Sequence, residues 1–404
     1  MSQPKIQEIR GGVTASLGFR ANGTRCGLKR KGKDLAIIYS DVPATAAGLW
    51  TSNKVQAAHI YLDKKHIKSG IAQAIVVNSG NANCCNGRAG IKDASLMAQA
   101  AASHLDIDPY TVLVASTGVI GKRLPIKNIL DTIPTLIKGM RRNGSRDAAS
   151  AIMTTDTVPK EAAVRFNING RAVTIGGIAK GSGMVSPNMA TMLSFITTDA
   201  AISPNGLKVA LDKAVDKSFN RITIDGDMST NDTVLMLANG ISGNDLLDEK
   251  DASFSIFCTG LEYVAVSLAK MLVRDGEGAT KFIEVHVRGA RNEIEANEVA
   301  RRVSNSNLVK TMVHGGDPNW GRVAASAGAA TAGIRQNLLD IYIGDVKVMG
   351  KGVGAEFDMI KLRRLINKKE VKITVDLNMG NGSTTMWTCD LSEEYVRLNA
   401  EYET

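Results

Sequence analysis

Short apolar runs alternate with polar and glycine-containing segments along the first half of the chain. Four of these runs, at residues 34–40, 74–78, 112–116 and 172–178, have the length and apolar character that predict buried strands. Residues 92–104 instead carry apolar side chains at helical spacing. Strands that alternate with a helix in this way predict a mixed α/β fold.

The second half of the chain has more helical periodicity. The expected elements are a buried strand at 192–198, helices at 207–219, 253–273 and 292–304, and later strands at 282–288, 339–343 and 371–377. No low-complexity linker and no internal repeat interrupts them. The 404 residues therefore predict two domains or one large compound domain, with ample core.

The composition is that of a globular protein whose core is mainly aliphatic. Hydrophobic residues make up 44% of the chain, charged residues 22% and aromatic residues 4%. We find no apolar run long enough to cross a bilayer, and the polar residues 1–8 lack the hydrophobic region of a signal peptide. The sequence therefore predicts a cytoplasmic protein with no membrane partner.

A net charge of +9 raises the question of nucleic-acid binding. The basic residues cluster at 29–33 and 361–369, and neither cluster is interleaved with the aromatic side chains on which bases stack. We therefore expect no nucleic-acid partner. The positive balance instead favours the approach of anionic metabolites such as carboxylates.

The cysteines and histidines give no support for a metal or for a disulfide framework. Cys84 and Cys85 are adjacent, the other three cysteines are far apart, and no pair has Cys-x-x-Cys spacing. The five histidines lack metal-ligand spacing. The sequence predicts reduced thiols, no metal site, and a structural role for His314 beside its two glycines.

A glycine-rich segment that ends at Thr191 offers a hydroxyl nucleophile. Residues 180–191 read KGSGMVSPNMAT and lead directly into the predicted strand at 192–198. A threonine hydroxyl needs a neighbouring base, and the α-amine of an N-terminal threonine can serve as one. Attack of the Thr191 hydroxyl on the carbonyl of Ala190, followed by hydrolysis, would cut the chain and release that amine. Taken alone, the segment is better interpreted as an ordinary glycine-rich loop before a core strand.

The sequence resembles the ornithine acetyltransferase family, also called the glutamate N-acetyltransferase family, over nearly its whole length. The clearest match is residues 180–200, which include the threonine before which family members cleave themselves. The other matching segments, in chain order, are 11–23 (GGVTASLGFRANG), 41–53 (DVPATAAGLWTSN), 78–83 (NSGNAN), 116–121 (STGVIG), 154–157 (TTDT), 225–233 (DGDMSTNDT), 274–280 (RDGEGAT), 316–322 (GDPNWGR) and 399–404 (NAEYET).

The resemblance implies a two-chain organisation. Self-cleavage would leave residues 1–190 as an alpha chain and residues 191–404 as a beta chain that starts with Thr191. The expected fold is the mixed α/β sandwich-like fold of this self-processing family, with a sheet core that both chains share. The family also implies a heterotetramer of two alpha and two beta chains.

The resemblance also assigns site residues that residue type alone would leave undecided. Thr117 and Gly118, otherwise a common turn pair, match the donors that stabilise the oxyanion. Lys180 matches a substrate-binding position and is a natural partner for a carboxylate, whereas Glu277 is suited to an ornithine ammonium. The remaining matches to substrate-binding positions are Thr154, with Thr155 and Thr157 as near alternatives, and Asn399, Thr191 and Thr404.

The implied reaction moves an acetyl group from N-acetylornithine to glutamate through an ester on Thr191, in the cyclic route of arginine biosynthesis. No cofactor is expected for the transfer, and whether acetyl-CoA also donates is left open because family members differ. Two other classes stay as alternatives. One is a self-cleaving amidohydrolase or aminopeptidase that passes the acyl group to water; the other is an amino-acid-binding protein that never cleaves.

Overall fold

In the computed structural model, which describes residues 6–186 and 192–401, helices pack on two β-sheets. The strands are β1 (Gln7–Ile9), β2 (Phe19–Thr24), β3 (Leu35–Trp50), β4 (Ile71–Asn81), β5 (Val112–Val119), β6 (Lys160–Ile168), β7 (Arg171–Lys180), β8 (Leu193–Thr198), β9 (Thr233–Ala238), β10 (Phe282–Ala290), β11 (Asp340–Ile343), β12 (Val346–Gly350), β13 (Val353–Gly354), β14 (Glu370–Asp376) and β15 (Gly382–Cys389). The helices are α1 (Ala58–His66), α2 (Gly87–Leu105), α3 (Ile126–Lys138), α4 (Ser145–Ile152), α5 (Pro204–Asp216), α6 (Phe254–Arg274), α7 (Glu293–Ser304), α8 (Asn307–Gly315), α9 (Gly321–Gly328), α10 (Met359–Ile366) and α11 (Glu393–Glu401).

The larger sheet combines strands from before and after position 190. Its order is β1-β6-β7-β8-β9-β3-β4-β5, with β2 paired to β3. Antiparallel pairing of β7 with β8 places Lys180 opposite Leu193, and parallel pairing of β8 with β9 places Leu193 opposite Thr233. The two segments thus share one hydrogen-bonded sheet, which confirms the expected mixed α/β fold with a shared sheet core.

Helices cover the larger sheet on both faces. On one face, α5 and α6 pack on an apolar cluster that includes Ile196 and Met236. On the other face, α4 packs on a cluster that includes Phe195, Leu235 and Ile75. Helices α2 and α3 enclose a separate cluster with Val76 and Val114. The strands at the centre are buried on both sides, which is why they read as continuous apolar runs in the sequence.

The smaller sheet belongs entirely to the later part of the chain. Its order is β13-β12-β11-β14-β10-β15, and α7, α8, α9 and α10 contribute buried side chains to its core. This core is distinct from the clusters beneath the larger sheet. The chain is therefore one compound structure with a second lobe after residue 281.

Helix α6 corrects the expectation that no segment is long and apolar enough to cross a bilayer. Its 21 residues meet that criterion by length and composition, and no other helix among the described residues does so. Ten of its residues are buried inside the protein, including Phe257 and Leu268. The helix packs against α5 and against β6 and β7, so its apolar face belongs to the core.

Most strands and helices predicted from periodicity are present, with shifted ends. The helix expected at 207–219 is α5, which starts three residues earlier because the Ser203 hydroxyl caps it by accepting from the Gly206 N–H at 3.0 Å. Proline at the next position, Pro204, suits the first helical turn. The strand expected at 34–40 continues to Trp50 as β3, because its second half pairs with β9.

Candidate active site

A cleft of about 150 Å³ collects the predicted site residues that the structure describes. These lining residues are Thr117, Gly118, Thr154, Lys180, Glu277 and Asn399. They come from five separated parts of the chain: the end of β5, the loop after α4, the end of β7, the loop after α6, and α11. The predictions for Ala190, Thr191 and Thr404 lie outside the described residues.

Parallel pairing of β4 with β5 fixes the position of Thr117 and Gly118. Gly118 lies beside Gly80 in this register and has a φ of +127°, which other residues rarely adopt. A Cβ atom on Gly118 would lie 2.4 Å from the carbonyl carbon of Gly80. Glycine is therefore required where β5 reaches the cleft, and this backbone places the Thr117 hydroxyl near Lys180.

Lys180 is a buried cation at the end of β7. Only 4% of its surface is exposed, and its Nζ donates to the Thr117 Oγ1 at 3.3 Å. Burial lowers the pKa of Lys180, while the carboxylates of Asp156 and Glu277 act in the opposite direction. The cleft therefore contains a lysine whose charge those carboxylates favour and which faces the predicted oxyanion donors.

Asp156 lies beside Lys180 and accepts hydrogen bonds from the backbone and a side chain around it. Its carboxylate accepts from the Gly181 N–H at 2.7 Å, the Thr154 N–H at 3.0 Å and the Lys160 Nζ at 2.7 Å. Burial alone would raise the pKa of Asp156, but Lys180 and Lys160 lower it to about 2. Sequence reasoning assigned no role to this aspartate, although it lies within the segment 154–157 that carried the family resemblance.

Thr154 and Thr155 both line the cleft, and Thr157 does not. The Thr155 hydroxyl shares a hydrogen bond of 2.6 Å with the Ser182 hydroxyl. The backbone N–H of Thr157 instead donates to the Asp275 carboxylate at 3.0 Å. Of the three threonines considered from the sequence, the first two therefore reach the cleft.

Glu277 packs against the glycine-rich loop that follows β7. The Glu277 N–H donates to the Ser182 carbonyl at 2.7 Å. A Cβ on Gly183 would lie 2.4 Å from the Glu277 Oε2, so a glycine at this position makes room for the carboxylate. Glu277 Oε2 also accepts from the Asn399 Nδ2 at 2.9 Å, which brings α11 to the cleft.

Asp225 connects the same loop to α11. The sequence analysis assigned no role to this aspartate either. It accepts from the Val185 N–H at 2.9 Å and from the Met184 N–H, and the Tyr395 hydroxyl donates to it at 3.3 Å. Burial and the adjacent carboxylate of Asp225 raise the pKa of Tyr395. Met184 itself lines the cleft.

The segment 229–232 forms another wall of the cleft, next to β8. Ser229 and Asn231 line the cleft, and the Asn231 Nδ2 lies 2.7 Å from each of two acceptors, the carbonyls of Ala82 and Ser116. The next residue, Asp232, accepts from the Met192 N–H through Oδ1 at 3.0 Å. The resemblance had included residues 225–233 without giving any of them a role.

No metal site is found near this cleft among the described residues. The described residues contain no group of three or more histidine, cysteine, aspartate or glutamate side chains that could hold a metal ion. His314 lies elsewhere, with its Nδ1 at 2.7 Å from the buried Asp390 carboxylate, and the structural role expected of it is confirmed. The five cysteines are free thiols.

The arrangement suits an amino-acid substrate and acyl chemistry. A buried ammonium at Lys180 can bind a carboxylate, and the Glu277 carboxylate, oriented by Asn399, can bind a side-chain ammonium. The Thr117 hydroxyl and the backbone at Gly118 can donate to an oxyanion. Cation, anion and oxyanion donors therefore line a single cleft.

Comparison with known proteins finds the same family over almost the whole chain. A profile described as the ArgJ family matches residues 20–404. The arginine biosynthesis bifunctional protein ArgJ of Symbiobacterium thermophilum is 48% identical over 402 residues, which cover 99% of this chain and 100% of that protein. The protein of the same name from Oceanobacillus iheyensis is 47% identical over 409 residues, which cover 100% of each.

Solved structures of similar sequence match about half of the chain. The arginine biosynthesis bifunctional protein ArgJ of Bacillus halodurans is 43% identical with a TM-score of 0.45, and the match covers 46% of this chain and 98% of that one. An ornithine acetyltransferase from Mycobacterium tuberculosis, solved in complex with ornithine, is 38% identical with a TM-score of 0.43, and covers 45% and 98%.

Proposed function

The chain belongs to the ArgJ family, and from that membership we propose that it transfers an acetyl group from N-acetylornithine to glutamate. It is thus an acyltransferase of arginine biosynthesis, as its full-length relatives are named for that pathway. The observation that carries the proposed reaction is the cleft in which Thr117, Gly118, Lys180, Glu277 and Asn399 meet.

Thr191 is the proposed nucleophile, released as an N-terminus by cleavage after Ala190. Described residues before and after this bond support the assignment. Met184, which precedes the bond, lines the cleft, and Met192, which follows it, donates a hydrogen bond to Asp232. Cleavage would leave an alpha chain of residues 1–190 and a beta chain of residues 191–404. The pairing of β7 with β8 would keep these chains together.

In the first half of the reaction, the α-amine of Thr191 takes the proton of its own hydroxyl, and Oγ bonds to the acetyl carbon. Thr117 and the Gly118 backbone stabilise the oxyanion, a contribution worth about a hundredfold or more in rate for each donor. The bond to the ornithine nitrogen then breaks, and that nitrogen takes the proton. Ornithine leaves while the acetyl ester remains on Thr191.

In the second half, glutamate enters the same cleft, and its amine bonds to the acetyl carbon. The bond from that carbon to Thr191 Oγ then breaks, and Oγ takes up the proton that the glutamate amine loses, by way of the Thr191 α-amine. Lys180 is the proposed partner of the substrate carboxylate in both halves, and Glu277 is the proposed partner of the ornithine ammonium. Thr154, Asn399 and Thr404 are the further proposed substrate contacts. The transfer as written uses no cofactor.

The name of the relatives favours a second donor at the same threonine. Both full-length proteins are described as bifunctional. We therefore propose acetyl-CoA as an alternative source of the acetyl group on Thr191. The test is acetylation of the enzyme by acetyl-CoA in the absence of N-acetylornithine; an enzyme that stays unmodified would rule out the second donor.

The assembly and location of the protein complete the proposal. We expect two alpha and two beta chains, which together have the mass of two 43.0 kDa precursors, in the cytoplasm. Analytical ultracentrifugation of the cleaved enzyme would measure this mass. A particle with the mass of one precursor would contradict the heterotetramer.

Denaturing mass spectrometry of the wild type and of Thr191→Ala is the primary experiment. We expect two wild-type chains that meet at Ala190/Thr191, and one 43.0 kDa chain for the variant. With N-acetylornithine alone, the wild-type beta chain should gain one acetyl group, which glutamate then removes. Acetate release without glutamate would instead favour the hydrolase, and an intact wild-type chain that binds ornithine would favour a non-catalytic binding protein.

A further inference from the structure

Asp232 is a buried carboxyl next to the cleft that the reaction described above does not use. It is 1% exposed and immediately follows Asn231, which lines the cleft. Its Oδ1 accepts from the Met192 N–H at 3.0 Å. Met192 is bonded to Thr191 in the chain, so this carboxyl lies within one peptide unit of the nucleophile's backbone.

The second oxygen of Asp232 distinguishes it from the other carboxylates of the cleft. Oδ2 is buried and has no hydrogen-bond partner among the described residues. Asp156, by contrast, uses both of its oxygens on Gly181, Lys160 and Thr154, and Glu277 accepts from Asn399. A buried carboxyl oxygen without a partner is costly and calls for an explanation; in Asp232 it lies beside the cleft.

The surroundings of Asp232 favour its neutral, proton-carrying form. Burial raises its pKa well above the usual range for an aspartate, against the opposing effects of the Met192 N–H, the Lys180 charge and the Thr51 and Ser229 side chains. Lys180 on β7 is the charged group that faces it, and Lys180 in turn faces Asp156, Lys160 and Glu277. The main chain of Asp232 is held by the Thr51 N–H, which donates to its carbonyl at 2.9 Å.

We infer that Asp232 is the proton carrier for the cleavage of the bond between Ala190 and Thr191, an inference that rests on the proposed function. Before cleavage Thr191 has no free amine to act as its base, so the precursor needs another group to move the proton. Asp232, whose Oδ1 accepts from the Met192 N–H, is the group proposed to move it.

The step balances as an N-to-O acyl shift followed by hydrolysis. Thr191 Oγ bonds to the carbonyl carbon of Ala190, and the bond from that carbon to the Thr191 nitrogen breaks. Asp232 Oδ2 donates a proton to the departing nitrogen and recovers one from the Thr191 hydroxyl. Water then hydrolyses the ester, which leaves a carboxylate on Ala190 and restores the hydroxyl of Thr191.

The test compares Asp232→Asn with wild type by following chain cleavage after pulse-labelled cell-free synthesis. An asparagine keeps an oxygen that can accept from the Met192 N–H, but it cannot carry the proton. General acid–base catalysis contributes about 10²- to 10⁴-fold. We therefore expect D232N to cleave at least about a hundredfold more slowly than wild type.

Asp63 offers a matched control for the cost of an amide at a buried carboxyl. Like Asp232, it accepts one backbone N–H, from Val114 at 2.9 Å, and its Oδ2 is buried without a partner among the described residues. It lies on α1 and does not line the cleft. Asp63→Asn should lose similar stability and cleave at the wild-type rate.

The pH profile of cleavage separates proton transfer from a structural role. Wild type should lose cleavage rate as the pH rises through the Asp232 pKa, whereas D232N should lack that inflection. Asp232→Glu, which retains a carboxyl on a longer side chain, should cleave slowly but recover a pH inflection. This second variant keeps the test informative if the asparagine disturbs folding.

The outcomes distinguish this inference from the proposed function. Wild-type and D232N precursors that cleave at the same rate, with the same pH profile, would overturn the role of Asp232 and leave the acetyl transfer intact. A wild-type precursor that never cleaves would overturn the proposed function and this inference together. Equal slowing of D63N and D232N would also refute it, because the effect would then follow from buried amides in general.

Discussion

The Asn399 Nδ2 donates a hydrogen bond of 2.9 Å to the Glu277 Oε2 and so connects α11 to the loop that follows α6. The two residues are 122 positions apart in the chain. Tyr395 from the same helix reaches Asp225, so α11 is attached to the cleft at two points. The end of the chain therefore forms one side of the candidate site.

Asn399→Ala should raise the KM for N-acetylornithine about five- to tenfold and change kcat little, since a partly exposed hydrogen bond to a carboxylate contributes about 1 kcal/mol. The amide holds the Glu277 carboxylate that is proposed to bind the ornithine ammonium. Steady-state kinetics would measure the effect. Arg397→Ala is the control, because Arg397 pairs with Glu394 on the exposed side of the same helix; equal changes in both variants would contradict a role for Asn399.

Lys180→Met should lower kcat/KM about a hundredfold or more, because it removes a buried cation that is proposed to bind the substrate carboxylate. The KM should rise for N-acetylornithine and for glutamate, since both present a carboxylate to the same group. Lys122→Met removes an exposed lysine that does not line the cleft, although the cleft residue Ile120 is two positions away. A similar loss in both variants would indicate a general charge effect instead.

Gly118→Ala should destabilise the protein by about 3 kcal/mol or more, since the new methyl group would meet the Gly80 backbone and force a strained φ. Gly121→Ala is the matched variant. Gly121 has a φ of +82°, but nothing lies within 4 Å of its added Cβ, so a loss of about 1 kcal/mol is expected. Urea unfolding would measure both, and equal losses would refute the close approach of β4 and β5.

Protonation of Asp156 at acidic pH should lower the free energy of unfolding. Its folded-state pKa of about 2 is below the ordinary value of 3.8, so its contribution to stability is complete above pH 4 and is lost as the pH falls towards 2. A shift of this size corresponds to about 2 kcal/mol. Urea unfolding between pH 7 and pH 2 should therefore show a smaller acid loss for Asp156→Asn, which starts from lower stability at pH 7.

Asp131→Asn is the control for the loss of stability between pH 7 and pH 2. Asp131 pairs with Lys127 on the exposed surface of α3, where both side chains are largely solvated. Its replacement should leave the curve between pH 7 and pH 2 nearly unchanged, because such surface pairs contribute little. An Asp156→Asn curve parallel to that of wild type would contradict the lowered pKa.

Local patterns predicted the elements that carry the site. The apolar runs gave the strands that end near Thr117 and Lys180, and the strand that begins after Thr191 is β8. These assignments succeed because alternation, burial and turn residues act over a few neighbouring positions. The roles of Thr117, Gly118, Lys180, Glu277 and Asn399 came from resemblance to a family, and the cleft gathers these five residues.

Short windows of sequence did not predict the partners that hold these residues. Asp156, Asp225 and Asp232 were given no role, because each acts through a hydrogen bond to a backbone N–H that another part of the chain supplies. Three strands of the smaller sheet were predicted, but their assembly into a separate sheet and the contact between Asn399 and Glu277 were not, for the same reason. Hydrophobic periodicity states which face of an element is buried, but it does not state which other element covers it.

The sequence by itself determined the α/β class, the membership of the chain in its family, and the candidate nucleophile, because each depends on residue identities along the chain. Only the tertiary structure decided that Lys180 meets Thr117, that Glu277 meets Asn399, and that Asp232 adjoins β8. Those contacts depend on strand register and on the pairing of buried polar groups across the whole molecule. Long-range packing forms the cleft, and the residues that it brings together there carry the proposed chemistry.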